Sequence, residues 1–312
     1  MEVVGSCSIC PRRCGVSRGD GFCGAGADVE IASVCLHRGE EPPISGSNGI
    51  VNIFFAHCNL QCIYCQNWQI SGRGEVRAEK LSDSTIDRIC SMLPEGNPML
   101  GFVTAAHFAY AVEPIVEAVR KRGFNPTVVY NSGGYESVET LRRLEGVVDV
   151  YLPDLKYMDS GLAALYSHAP DYPEVAAAAL LEMKRQVGGG LKMDDDGMAY
   201  RGMLVRHLVL PGAGANTEGC LQWLADNMPF STGISLMAQY FPPSTTLPPP
   251  LDRPLMQEEY DRAQAFLSRL PFSNVWTQEL SAQDCYRPDF SSDTPFTPPS
   301  LVAPTSGTAS NQ

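Results

Sequence analysis

Between residues 50 and 240, six short apolar runs alternate with stretches of helical spacing, and few folds accommodate that order. The runs cover 50–56, 100–104, 127–131, 148–154, 203–210 and 233–240, and are rich in Val, Ile, Leu, Phe and Tyr. Most are apolar at successive positions, as strands buried on both faces of a parallel sheet must be. Helices are expected between them at 82–93, 109–122, 137–144, 172–187 and 217–227, with a last one at 257–270. Ser82, with Thr85 and Asp87 in the first turn, reads as a helix start, and Gly123 and Gly146 stand where helices stop. The expectation is an α/β fold built on a parallel barrel. Right-handed crossovers bring every strand-to-helix loop to one rim.

With 312 residues, 44% of them hydrophobic, the chain can bury one sizeable core. Its net charge of -12 disfavours nucleic acid and anionic lipid as partners. No stretch of 18 apolar residues occurs, and residues 1–18 carry no signal-peptide pattern, so a soluble cytoplasmic protein is expected. Three segments are expected: a Cys-rich metal-binding module at 1–48, a core barrel at 49–270, and a C-terminal extension at 271–312. The extension reads as mostly disordered, because beyond Tyr286 it is Pro, Ser and Thr with almost no core residues.

Eleven cysteines in a chain without an export signal point to metal thiolates rather than disulfides. Cys35, Cys90, Cys220 and Cys285 are scattered and read as small packing residues; the other seven fall into two groups. Cys58, Cys62 and Cys65 follow the first strand with C-x3-C-x2-C spacing. An ordinary four-iron cluster takes four cysteines. Three leave one iron open, free to bind the amino and carboxylate groups of S-adenosylmethionine. An electron passed to the sulfonium then releases a 5′-deoxyadenosyl radical, which abstracts hydrogen from a substrate. The competing readings are buried thiols or a zinc site, for which the adjacent His57 is a candidate ligand. Tyr64 stands where its ring can pack on the adenine, or be a loop aromatic. Cys7, Cys10, Cys14 and Cys23, spaced C-x2-C-x3-C-x8-C, look like a closed second site for zinc or for an auxiliary iron–sulfur cluster.

Long phrases carry a resemblance. They are Cys10-Pro11-Arg12-Arg13-Cys14, Glu40-Glu41-Pro42-Pro43-Ile44-Ser45-Gly46, the cysteine loop with Gln66-Asn67, Tyr130-Asn131-Ser132-Gly133-Gly134-Tyr135-Glu136, Tyr151-Leu152-Pro153-Asp154-Leu155-Lys156-Tyr157 and Val205-Arg206-His207-Leu208-Val209-Leu210-Pro211-Gly212. From about residue 7 to 270 the chain resembles the radical S-adenosylmethionine (SAM) superfamily, most of all proteins called pyruvate formate-lyase activating enzyme-like or related. The resemblance implies a partial (β/α)6 barrel with a 4Fe-4S cluster at its open rim, SAM as cosubstrate, and a reducing partner such as flavodoxin or ferredoxin. It leaves open whether the substrate is a small molecule or a protein, including a glycyl-radical partner. One departure stands out: where the superfamily often carries Gly-Gly-Glu after the second strand, this chain has Thr104-Ala105-Ala106-His107-Phe108.

Polar residues at strand ends complete the candidate site. Asp154 and Lys156 end the fourth strand; they can hold the methionine ends of SAM or form a structural ion pair. Asn131 and Ser132 can bond ribose hydroxyls or simply make a turn. Arg206 and His207 face opposite sides of the fifth strand, and Arg206 is the one expected inward; the resemblance implies that it contacts the adenosine or the methionine carboxylate. Thr104 falls at the expected amino-group contact, and His107 is a candidate acid or base. For His107, as for His37, core packing is the competing reading; Glu40 and Glu41 fit either a solvated turn or the site. A different class of function, a non-catalytic zinc-binding scaffold, also accommodates both cysteine groups. A hydrolytic zinc enzyme does not fit, because neither His-Glu-x-x-His nor His-x-Glu followed by Cys-x-x-Cys occurs.

Overall fold

Every one of the six apolar runs is a strand of a single sheet. The computed structural model describes residues 6–96, 98–243, 246–285 and 287–296. In chain order the strands are β1 (Glu30–His37), β2 (Ile50–Phe55), β3 (Glu79–Lys80), β4 (Met99–Val103), β5 (Thr127–Ser132), β6 (Val150–Pro153), β7 (Lys192–Met193), β8 (Ala199–Leu208), β9 (Gly233–Met237) and β10 (Asn274–Thr277). The sheet order is β10-β9-β8-β6-β5-β4-β2-β1-β3, with β7 paired to β8. From β2 to β10 the neighbours along this order are parallel, whereas β1 pairs antiparallel with β2. The sheet curves into a barrel that does not close, since β10 and β3 are its free ends.

Helices Asp83–Met92, Val112–Lys121, Val138–Arg143, Tyr172–Val187 and Gly214–Asn227 pack their apolar faces on one side of the sheet, against Val51, Ile53, Phe102, Val128 and Ile234 among others. The other side shows why the site lies where it does. Strand alternation puts Ile50 and Asn52, Val129 and Asn131, Leu152 and Asp154, and Leu204 and Arg206 on that same face. The first member of each pair joins one buried apolar cluster with Ile44 and Leu191. The second member is polar. A dry plug thus fills the start of the barrel, and polar groups begin one step further toward the strand ends. Gly101 faces Asn52 across β2 and β4, and a Cβ there would come within 2.0 Å of the Asn52 amide oxygen, so glycine makes room for that side chain.

Residues 30–37, placed in the Cys-rich module at 1–48, form β1 and pair with β2. Their mixed, half-buried pattern hides the strand. Residues 274–277 add a seventh parallel strand, β10, whose alternating exposure makes it look like loop. The stretch 287–296, expected to be disordered, packs back on the barrel. Phe290 and Phe296 lie 5.2 and 5.4 Å from the Phe54 ring, and Phe296 lies 4.1 Å from the His37 ring. Residues 297–312 lie outside the described residues. No helix among the described residues is long and apolar enough to cross a membrane.

Replacing Phe290, which is 4% exposed, by Ala should lower stability by about 3 kcal/mol in urea unfolding. An unchanged midpoint would mean that the segment does not pack on the barrel in solution.

Candidate active site

A cavity of about 600 Å3 opens at the carboxyl ends of the parallel strands, and Cys58, Cys62 and Cys65 all line it. The loop that carries them leaves β2 through two non-glycine residues with left-handed backbone, His57 (φ 69) and Gln61 (φ 52). Each sulfur accepts a hydrogen bond: from the Leu60 amide to Cys58 (3.4 Å), from Ser167 Oγ to Cys62 (2.9 Å) and from Ser71 Oγ to Cys65 (3.5 Å). The Ser167 bond ends a relay in which Tyr157 and Tyr64 follow at 2.7 and 2.6 Å. Burial pushes the Cys58 thiol up to about 12, so a cation must displace its proton before it can serve as a ligand. His57 is engaged elsewhere, at 2.8 Å from the Gly72 carbonyl and 3.3 Å from Glu30.

Opposite the cysteines, Arg206 holds three acceptors from three parts of the chain: Asp154 at 2.8 Å, Asn131 at 2.7 Å and Glu40 at 3.2 Å. Lys156 closes on the other Asp154 oxygen at 2.6 Å. Burial works against the charge on Asp154, but Arg206 and then Lys156 outweigh it, and its carboxyl stays below the usual range. Burial likewise opposes the Lys156 charge and is outweighed by Asp154 and by Cys62, so the ammonium is held. Asn52 steadies Glu40 at 2.9 Å. Glu41 also lines the cavity; burial raises its carboxyl, and its Oε2 has no hydrogen-bond partner. At the mouth, Gln66, Gln239 and Gln278 are linked by amide hydrogen bonds of 2.6 to 3.3 Å, tying the cysteine loop to the ends of β9 and β10.

The structure therefore brings Tyr64, Thr104, Asn131, Asp154, Lys156 and Arg206 into one cavity with the three cysteines. Thr104 stands there with φ of 58, an uncommon backbone for a β-branched residue. Ser132 is placed differently, buried behind the wall and bonded to Glu136 at 2.6 Å. His107 is not on the cavity. A 3-10 turn over Ala106–Ala111 carries its ring away, to the Ala56 carbonyl at 2.7 Å and to a second, small cavity among Cys7, Cys10, Cys14 and Cys23. His207 is buried between the Leu155 carbonyl and Thr217. Single-residue reasoning missed Ser167, Tyr157 and the glutamine chain, which belong to no periodic pattern. Glu136 was present in a matched phrase without a role, and its polarity after the glycine turn was the available signal, whereas Glu40 had been left between a solvated turn and the site.

No protein-family model matches the chain. In fold the chain is similar to a solved structure titled "Native anSMEcpe with bound AdoMet", which superposes with TM-score 0.50 and 13% identity, covering 76% of this chain and 62% of its own. The chain thus spans less than two thirds of that protein. A domain of a pyruvate-formate lyase-activating enzyme from Bacteroides vulgatus gives TM-score 0.38 at 12% identity, over 55% of this chain and 92% of that domain. In sequence, the uncharacterized protein MJ0674 of Methanocaldococcus jannaschii is 27% identical over 274 residues, 84% of this chain and 74% of its own.

Glu136, bonded by Ser132 and Tyr130 and lining the cavity, is pushed by burial up to about 7. Its neutral form therefore suits the fold. The stability this contributes is complete below the ordinary 4.5 and lost as pH rises through about 7. Relative to Glu136→Gln, the wild-type chain should lose up to about 3 kcal/mol between pH 4.5 and 8 in urea titrations. A pH-independent difference would show that Glu136 is charged throughout.

Proposed function

We propose that this chain is a radical SAM enzyme. The observation that carries the reading is that the three sulfurs of one loop share a cavity with the Arg206, Asp154 and Lys156 array. A 4Fe-4S cluster and SAM, when bound, would supply a 5′-deoxyadenosyl radical for hydrogen abstraction. The donor set fits that cluster: three thiols close in sequence, each already accepting a hydrogen bond, and a lysine ammonium beside Cys62 to offset thiolate charge. Among the described residues, no three His, Cys, Asp or Glu side chains converge closely enough for a single metal ion. A multinuclear centre takes more widely spaced sulfurs.

The chain's own residues then divide the work. Tyr64, buried and in T-shaped contact with Tyr166 and Tyr240, forms an aromatic wall for the adenine. Asn131 offers an amide to the ribose. Arg206 and Lys156 present cations for the carboxylate, while Asp154 holds both in place. Glu41, with an unused buried oxygen, is suited to an ammonium group. The apolar plug beneath keeps bulk water from the reacting atoms. A small one-electron donor protein such as a flavodoxin or ferredoxin would reduce the cluster, in the cytoplasm. The substrate is a molecule or a polypeptide segment presented at the cavity mouth, and a glycyl-radical partner is one such polypeptide.

Protein purified without oxygen and reduced with dithionite should give a 4Fe-4S electron paramagnetic resonance signal that changes on adding SAM. It should also form 5′-deoxyadenosine. Cys58→Ala, Cys62→Ala and Cys65→Ala should each abolish both. A cluster signal indifferent to SAM, or 5′-deoxyadenosine from any of these variants, would overturn the proposal.

A further inference from the structure

A second group of ligating side chains lies outside the barrel cavity, on the far side of the cysteine loop. Cys7, Cys10, Cys14 and Cys23, separated in sequence by loops with no regular structure, come together around a small cavity of about 10 Å3. Cys7, Cys10 and Cys23 are buried and Cys14 is half-buried. Backbone N–H groups are aimed at the sulfurs: Phe22 N donates to Cys14 at 3.3 Å, and the amides of Arg12 and Ala25 serve Cys10 and Cys23. Such N–H donors stabilise thiolates.

Two further polar atoms on the wall of this cavity are buried without a partner, Nδ1 of His107 and Nη2 of Arg18. His107 is 2% exposed and its Nε2 donates to the Ala56 carbonyl, which leaves Nδ1 with a free lone pair. Arg18 is fixed by the Gly26 and His107 carbonyls at 2.7 and 2.9 Å, and its Nη2 is left without a hydrogen-bond partner. Buried polar atoms of this kind are costly unless something meets them. A guanidinium beside four sulfurs is what an anionic thiolate–metal centre requires.

We infer that Cys7, Cys10, Cys14 and Cys23 hold a thiolate-ligated metal centre, with Arg18 and His107 against it, that clamps the barrel's cysteine loop from behind. The cavity has room for no substrate, so the centre acts on the loop through contacts. Arg12, between two of these cysteines, lies 3.8 Å over the Phe22 ring and donates to the Asn59 and Ser167 carbonyls at 2.8 and 3.0 Å. Gln61 reaches back to the Phe22 carbonyl at 2.9 Å. The Asn59 amide bonds both Cys10 and the Tyr135 carbonyl. Asn59 and Gln61 lie between Cys58 and Cys62, so the two cysteine groups share a wall. The four sulfurs do not meet at the point one ion would need. Either a zinc ion or an iron–sulfur centre would therefore be taken after rotation of these short side chains.

The test uses the full chain with Cys58, Cys62 and Cys65 all changed to Ala, so that any metal belongs to the second group and the result is independent of the radical SAM reading. After oxygen-free purification, about one zinc per chain, or about four iron with four acid-labile sulfides, supports the metal centre and tells the two apart. In either case the four thiols should resist alkylation until the metal is stripped, and stripping should lower the thermal midpoint. Metal-free protein with a folded circular dichroism spectrum, and with these thiols alkylated at once or joined as disulfides, would overturn the assignment. A midpoint unmoved by stripping would overturn the clamp.

Discussion

The Arg206 guanidinium is the group around which the barrel interior is organised. It reaches from β8 to the end of β6, to β5 and to the linker before the first helical turn, so one side chain connects positions as far apart in sequence as 40 and 206. Four charges, those of Arg206, Asp154, Lys156 and Glu40, are gathered in a place that strand burial would otherwise make apolar. An arrangement of this kind rarely adds net stability over well-packed hydrophobic side chains, yet breaking it leaves an uncompensated charge. It is tolerated because each member is paired and because the apolar plug below it needs no polar partner. The cavity takes its shape from that division into a dry layer and a charged layer.

The strands were readable because a parallel sheet covered on both faces demands unbroken apolar runs, and β2, β4, β6 and β9 are buried at every position. The elements that escaped notice are the ones outside that rule. β1 is antiparallel with half-buried positions, and β10 is exposed at alternate residues. The 287–296 stretch was hidden by its Pro, Ser and Thr content, although the two phenylalanines that anchor it were in plain sight.

That the cysteine loop, Asp154, Lys156 and Arg206 would share one cavity was legible because strand-to-helix loops of such a fold gather at one rim. His107 could not be placed, since the direction of a side chain after a strand depends on the turn that follows. Here that turn is 3-10 and delivers the ring to the opposite side of the loop. The hydroxyl relay from Tyr64 through Tyr157 to Ser167 joins residues up to 103 positions apart, and no spacing in the sequence links them. Both features follow from tertiary packing alone. They make the loop a partition, with hydrogen-bond donors for Cys62 on the cavity side and the N-terminal module on the other.

Thr104 gives this arrangement an evolutionary dimension. Its left-handed backbone, at φ of 58 on the cavity wall, costs on the order of 1–2 kcal/mol that glycine would not incur. A population selected only for thermal robustness would drift toward glycine there, while persistence of the threonine would mark a pressure other than stability. The identity of that single residue in a laboratory lineage would record which of the two pressures had been at work.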